Sequence, residues 1–160
     1  MSSTISTLRS IFGQCISNVC ERSKCKLKLS AFPNQRIILD IDCVAEQDPS
    51  SVRGERCDSL IVVAKDGVIF LLPVEFKTNR VIPDKVKKQL EGGIRFFKSY
   101  HAEQFNCYPV LVSKSLSGPV RKKLQQVSIS CNGRKARIKH VLCNDSLSWK
   151  AIIGNKKRQS

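Results

Sequence analysis

The chain of 160 residues contains no apolar run of roughly eighteen residues, so it carries no transmembrane helix. Its first twenty residues, MSSTISTLRSIFGQCISNVC, lack a basic leading segment and an unbroken apolar stretch, so a cleaved secretory signal is not expected. Eight cysteines are present, but no Cys-x-x-Cys pair, which weakens a zinc reading. Cys15, Cys20 and Cys25 follow at intervals of five. That interval is a step of about 140° around a helix, so the three cannot converge on a cluster while helical. Most cysteines are therefore expected to be small buried hydrophobes in a reducing, cytoplasmic setting. His101 and His140 have no Cys or His partner at ligand spacing and are expected to be structural or surface residues. There is no internal repeat and no low-complexity segment. Acidic residues are scarce. Thirteen Asp and Glu stand against 28 Lys and Arg, a formal charge of +15, which points to a polyanionic partner and above all to nucleic acid.

With 41% hydrophobic residues, 160 residues suffice for one domain with a single core. Ile5, Leu8, Phe12, Cys15, Ile16 and Val19 recur at helical spacing, predicting a helix over residues 4–23. Residues 36–44 alternate as a strand, with Ile37, Leu39, Ile41 and Cys43 on one face and Ile38, Asp40, Asp42 and Val44 on the other. The polar segment 45–56 reads as a loop, either a plain connector or one that closes over a substrate. After a pair of strands come a helix over 84–100, a strand over 108–114, a helix starting at Ser117 and a strand over 136–143. The core spans about 4–143, followed by a basic C-terminal tail, 144–160. The order α-β-β-β-α-β-α-β predicts an α/β fold, a mixed central sheet flanked by helices on both faces. Gly92-Gly93 inside the helix costs about 1–2 kcal/mol of helix propensity, which suggests close packing on the sheet or a kink.

The dipeptide Asp66-Gly67, set between two apolar runs, is the demand of a two-residue hairpin turn, because both central positions need positive φ. With those two residues as the loop, Lys65 faces Val68 and Asp58 lies opposite Glu75, with Lys77 on the same face two residues on. Pro73, inside the second strand, implies an edge, a bulge or a splaying near Glu75. Two carboxylates at roughly 5 Å repel by about 3 kcal/mol at an effective dielectric near 20. Their neighbours on that face, Leu60, Val62, Ile69 and Leu71, are apolar, which raises the cost further. The arrangement suits a divalent cation held by Asp58 and Glu75, with the backbone carbonyl of Phe76 completing the set. Mg²⁺, or Mn²⁺ in its place, would activate a bound water, and Lys77 would orient that water or stabilise transition-state charge. Asp40 and Asp42 are a second acidic pair, either a solvent-facing edge or a contribution to a second metal. Lys85, Lys87, Lys88, Arg95 and Lys98 on one helix, and Arg121, Lys122 and Lys123 on the next, are candidate phosphate contacts, although solvated helix faces explain them as well.

The segment Cys57-Asp58 followed by Val74-Glu75-Phe76-Lys77, in an αβββαβ order, resembles the PD-(D/E)XK nuclease superfamily over about residues 4–114. The group includes restriction endonucleases and Holliday-junction resolvases. The resemblance implies a restriction-endonuclease-like core with Asp58, Glu75 and Lys77 as the catalytic set. Cys57 stands where many members have Pro. Gln89 matches a helix Gln of the exonuclease branch, but no Tyr follows it at that branch's spacing. Many members add a Glu from the first helix. Glu21 is the candidate, although it lies about 180° from that helix's apolar stripe. The implied activity is Mg²⁺-dependent hydrolysis of DNA, with RNA not separated from it, directed by structure or by general affinity. Resolvase-like members of this size work as homodimers, so the resemblance implies that state as an expectation here. The rival readings are an inactive nucleic-acid-binding protein of the same fold and a basic subunit of a larger nucleoprotein complex.

Overall fold

Ten consecutive residues, Val68–Lys77, form the longest strand of the protein, and eight of them are buried. A computed structural model of the chain describes residues 2–154. In chain order the elements are α1 (Ser3–Phe12), a 3-10 turn (Gly13–Cys15), β1 (Ile16–Ser17), β2 (Cys20–Arg22), β3 (Cys25–Ser30) and β4 (Arg36–Asp40). They continue with α2 (Ile41–Gln47), a 3-10 turn (Pro49–Ser51), β5 (Ser59–Lys65), β6 (Val68–Lys77), α3 (Pro83–Lys98), β7 (Asn106–Cys107) and β8 (Val110–Ser113). The last are α4 (Gly118–Gln126), β9 (Ser128–Cys131), β10 (Arg134–Arg137), β11 (Lys139–Leu142), β12 (Ser146–Ser148) and α5 (Trp149–Ile153). No helix among the described residues is long and apolar enough to cross a membrane.

The protein is mixed α/β. Its seven-stranded sheet has the order β1-β4-β5-β6-β8-β11, with β7 alongside the start of β6. β4, β5 and β6 run antiparallel, and α3 then carries the chain over to β8, parallel to β6. The predicted helix stripe holds: Val86, Leu90, Ile94 and Phe97 of α3 are buried. With Ile5, Leu8 and Phe12 of α1 they cover one sheet face, through Leu60, Val62, Ile69 and Leu71. The other face is not covered by helices alone, as the element order predicts. Ile61, Val63, Phe70, Leu72 and Val74 pack there against Cys25 and Leu27 of β3, Leu147 of β12 and Trp149 and Ile152 of α5. A small sheet, β12-β3-β2, thus forms much of the second layer.

Several boundaries shift. The helix expected over 4–23 stops at Phe12, and residues 16–30 are three short strands. Ser23 and Lys24 turn between β2 and β3 with φ of 50° and 65°. The strand expected over 36–44 ends at Asp40, whose carboxylate accepts the Cys43 amide at 3.1 Å and so caps α2. The expected strand 136–143 is two strands, and Asn132-Gly133 makes a further hairpin between β9 and β10. Residues 146–153 are not tail but β12 and α5, while the terminal basic run lies outside the described residues. Pro73 causes no bulge, since it pairs with Leu60 in an unbroken ladder. On its other side the neighbouring strand is interrupted between β7, which pairs with Phe70 and Leu71, and β8, which begins opposite Val74. Its missing N–H falls where that side of the ladder has its gap.

The cysteines depart most from expectation. Cys15 is bonded to Cys43 and Cys25 to Cys143, leaving Cys20, Cys57, Cys107 and Cys131 as thiols. Paired cysteines persist in oxidising surroundings, so cysteine usage no longer argues for a reducing cytosol.

Candidate active site

The Asp66-Gly67 turn sets the register of the site. Asp66 and Gly67 have φ of 52° and 77°, and Lys65 pairs with Val68 as the two-residue loop requires. The ladder runs without a slip to Ser59 opposite Val74, one pair short of Asp58 and Glu75. There the side chains take over. The Asp58 amide donates to Glu75 Oε1 at 3.1 Å, and the Phe76 amide donates to Asp58 Oδ2 at 2.8 Å. Asp58 and Glu75 are thereby laced together across the strand ends. Lys77 joins them, its Nζ 3.0 Å from Glu75 Oε2.

Behind this pair the packing is close. A Cβ on Gly93 would run into the Cys57 sulfur, and one on Gly92 into the Glu55 carbonyl. The two glycines let α3 lie against the segment leading into β5, which settles the choice between packing and kink in favour of packing. The same contact pins the end of the 45–56 segment, which is no simple loop, since it begins with the last turn of α2 and includes the 3-10 turn Pro49–Ser51. Cys57 is fully buried, and burial, with Glu75 and Asp58 beside it, pushes its thiol pKa well up.

Glu75 is 3% exposed. Burial, and then the charge of Asp58, raise its pKa to about 8 against the opposing pull of Lys77. One ammonium group therefore does not fully compensate the buried carboxylate. Among the described residues no group of three or more His, Cys, Asp or Glu gathers around a metal position.

Arg22 was not foreseen, because a helix over 4–23 gives it no route to the sheet. On β2 it reaches the site: Nη2 lies 2.9 Å from Asp42 Oδ2 and 3.4 Å from Asp40 Oδ1, and Nε lies 3.7 Å from Asp58 Oδ1. Asp42 also holds Arg56 at 3.0 Å. Asp40 and Asp42 are thus not a free solvent-facing edge. They grip arginines. Glu21 is corrected as well. It is exposed on β2 and pairs across the strands with Lys26 at 3.8 Å, because neighbouring strand residues face opposite ways and Arg22 takes the inward place. Gln89 is half-buried on α3, its Oε1 buried without a hydrogen-bond partner. His101 is structural, bonded to Thr4 at 2.6 Å and stacked on Phe97. His140 lies nearer the site: Ser113, beside Lys77 in the ladder, contacts its Nε2 at 2.7 Å.

Lys85, Lys88, Arg95 and Lys98 are exposed on α3, and Arg121, Lys122 and Lys123 are exposed on α4. Lys123 Nζ approaches Asp84 of α3 at 4.0 Å, which brings the two basic helices together. No protein-family model matches the chain, and neither a curated protein nor a solved structure is significantly similar to it.

Proposed function

We propose that the protein is a metal-dependent nuclease with a restriction-endonuclease-like core, hydrolysing DNA phosphodiester bonds by structure or by general affinity. The observation that carries this reading is the buried Glu75 laced to Asp58, with Lys77 Nζ 3.0 Å from its carboxylate. With β1–β3 and α2 set aside as insertions, the succession α1, antiparallel β4-β5-β6, α3 and a parallel β8 supports it, because it follows the αβββαβ order of the superfamily.

Asp58 and Glu75 are hard oxygen donors and fit Mg²⁺, which takes one or two protein carboxylates and keeps several waters and phosphate oxygens. The Phe76 carbonyl is the third candidate donor. The raised pKa of Glu75 fits the same assignment, since a carboxylate short of positive charge is what a cation stabilises. When bound, the ion supplies a water of lowered pKa and a positive charge for the phosphate. The chain does the rest. Glu75 and Asp58 fix the position of the reacting group relative to the strand ends. Lys77, held by Glu75 and 20% exposed, presents an ammonium group to the attacking water or the charged phosphorane. The exposed cations of α3 and α4 would contact the backbone and make affinity fall with salt.

The test is incubation of wild type, Glu75→Ala and Lys77→Ala with plasmid, single-stranded and four-way-junction DNA, in Mg²⁺, Mn²⁺ or EDTA. Cleavage is expected to need metal and to fall by roughly 10²–10³ in each variant. Activity that survives in both variants removes the assignment. Binding without cleavage, unchanged by Glu75→Ala, establishes an inactive binding protein instead.

A further inference from the structure

Glu75 and Lys77 each belong to a row of residues that crosses the sheet. Lys77 pairs with Ser113 of β8, and Ser113 with Leu142 of β11, while Glu75 pairs with Leu111 and Leu111 with His140. Paired residues of neighbouring strands share a face. His140 and Leu142 therefore stand on the face of the candidate site, two strands over and about 10 Å away. Cover is incomplete there. A cavity of about 380 Å³ has Leu124, Ile138 and Leu142 among its apolar walls and Arg121, Gln125 and His140 as its polar groups. That volume lies in the range of small-molecule sites, which likewise set a few polar groups among apolar walls. Leu142 is 45% exposed, so its wall is open to solvent. His140 is fixed in place, its Nε2 2.7 Å from the Oγ of the buried Ser113. Burial and the charge of Arg121 hold its pKa below the ordinary value, so at neutral pH it is an uncharged hydrogen-bonding ring. No carboxylate lines the cavity, and Arg121 is the one charge that does.

We propose that this cavity is a nucleobase site, taking one unstacked base of a bound strand while Arg121 holds an adjoining phosphate. The proposal rests on the nuclease reading for the scissile phosphate that lies a few nucleotides away, and it deepens that reading. Three features select this ligand. The aliphatic walls suit the flat, weakly polar faces of a base. Gln125 supplies an amide that both donates and accepts, His140 supplies its second ring nitrogen, and the edge of a base offers the matching donors and acceptors. Arg121 belongs to the basic face of α4, with Lys122 and Lys123 exposed beside it, so a strand's phosphates have cations to follow past the cavity. An apolar carboxylate would satisfy Arg121 but leave the Gln125 amide and the His140 ring unused. A base must leave its stack to enter, and that costs least where it is already unpaired. The site therefore favours single-stranded or branched DNA over intact duplex.

The test uses the full chain with its disulfides intact, in EDTA, so that binding is read without cleavage. Affinity is measured for short single strands of adenine or thymine deoxynucleotides and for abasic strands of the same length, which keep every phosphate. Wild type is expected to bind the better base-bearing strand about tenfold more tightly than the abasic one, from burial of a single base. That ratio should hold as salt is raised, because both strands share the phosphate contribution. Leu142→Ser changes an exposed position and should cut the ratio to about threefold or less, with abasic binding unchanged. In wild type, the methyl resonances of Leu124 and Leu142 should shift with base-bearing strands alone, a readout that stands even if the variant fails to fold. A ratio near one in wild type, an unchanged ratio in Leu142→Ser, or equal methyl shifts with abasic strands overturns the inference. Cleavage in Mg²⁺ is scored separately on the same protein. Base-dependent binding without metal-dependent cleavage keeps the base site and removes only the nuclease reading, whereas cleavage with a ratio near one removes only the base site.

Discussion

Two hairpins build the candidate site, and they are made in opposite ways. The β5–β6 hairpin turns at Asp66-Gly67 and the β2–β3 hairpin at Ser23-Lys24, and both pairs of turn residues have positive φ. The first uses residues that tolerate this conformation, and it joins strands of seven and ten residues. The second uses residues that do not favour it, between strands of three and six. Distant chain supplies what its turn lacks. Cys143 is bonded to Cys25, β12 runs parallel to β3, and the Asn144 side chain accepts the Lys26 amide at 3.1 Å. One hairpin is specified locally and carries Asp58, Glu75 and Lys77. The other is specified at long range and carries Arg22.

The largest way to break this contrast is to cut the long-range tie. The Cys25–Cys143 bond spans 118 residues of sequence, for which chain entropy alone gives roughly 5 kcal/mol of stabilisation. Cys143→Ser should therefore lower unfolding stability by about 2–5 kcal/mol in denaturant titrations. Amide hydrogen exchange should quicken first in β2 and β3 and last in β5 and β6. Equal loss of protection in both hairpins would refute the distinction.

The locally specified hairpin has a cost of a different kind, placed in its charges. Glu75 titrates near 8 when folded, against an ordinary 4.5, because it is buried beside Asp58. The folded state thus holds a proton that the unfolded state has already released. Stability from Glu75 is complete below about pH 4.5 and is lost as pH rises through 8. Each unit of difference is worth about 1.4 kcal/mol, so the total is a few kcal/mol. In EDTA, wild type should lose stability relative to Glu75→Gln between these limits. Mg²⁺ at pH 8 should restore wild type alone. Parallel stability curves for the two proteins in EDTA would show that Glu75 carries no such strain.

The same contrast explains what could be read from the residues. Asp66-Gly67 names its own turn, and the period-two pattern on each side then fixes the register of Asp58 and Glu75. The stripe Val86, Leu90, Ile94 and Phe97 identifies α3 equally well. Residues 16–30 could not be read that way: Cys15, Ile16 and Val19 continue a helical period by coincidence, and Ser23-Lys24 is not a turn signal. Arg22 was lost with them. Asp40 looks like an alternating strand residue but caps a helix, a choice made by tertiary context. Asn132-Gly133 is a turn signal as clear as Asp66-Gly67 and was available. The disulfides join residues 28 and 118 apart, and no spacing rule selects them from eight cysteines.

The smallest test makes the second hairpin resemble the first. Lys24 has φ of 65° and lies exposed at the turn, and it makes an Asn-Gly-like demand with a side chain present. Lys24→Gly removes the Cβ penalty of the left-handed conformation, about 1 kcal/mol, against some added freedom in the unfolded chain. Ser23→Asn adds a residue that accepts this region readily. The double variant should gain about 1 kcal/mol in wild type and should recover part of the protection lost by β2 and β3 in Cys143→Ser. That recovery is the discriminating result, because a local turn and a distant bond would then be shown to stabilise the same element. If the gain appears in wild type but not in Cys143→Ser, the hairpin depends wholly on its tether. In that case Arg22 reaches Asp58 only because a cysteine 118 residues beyond Cys25 holds its strand in place.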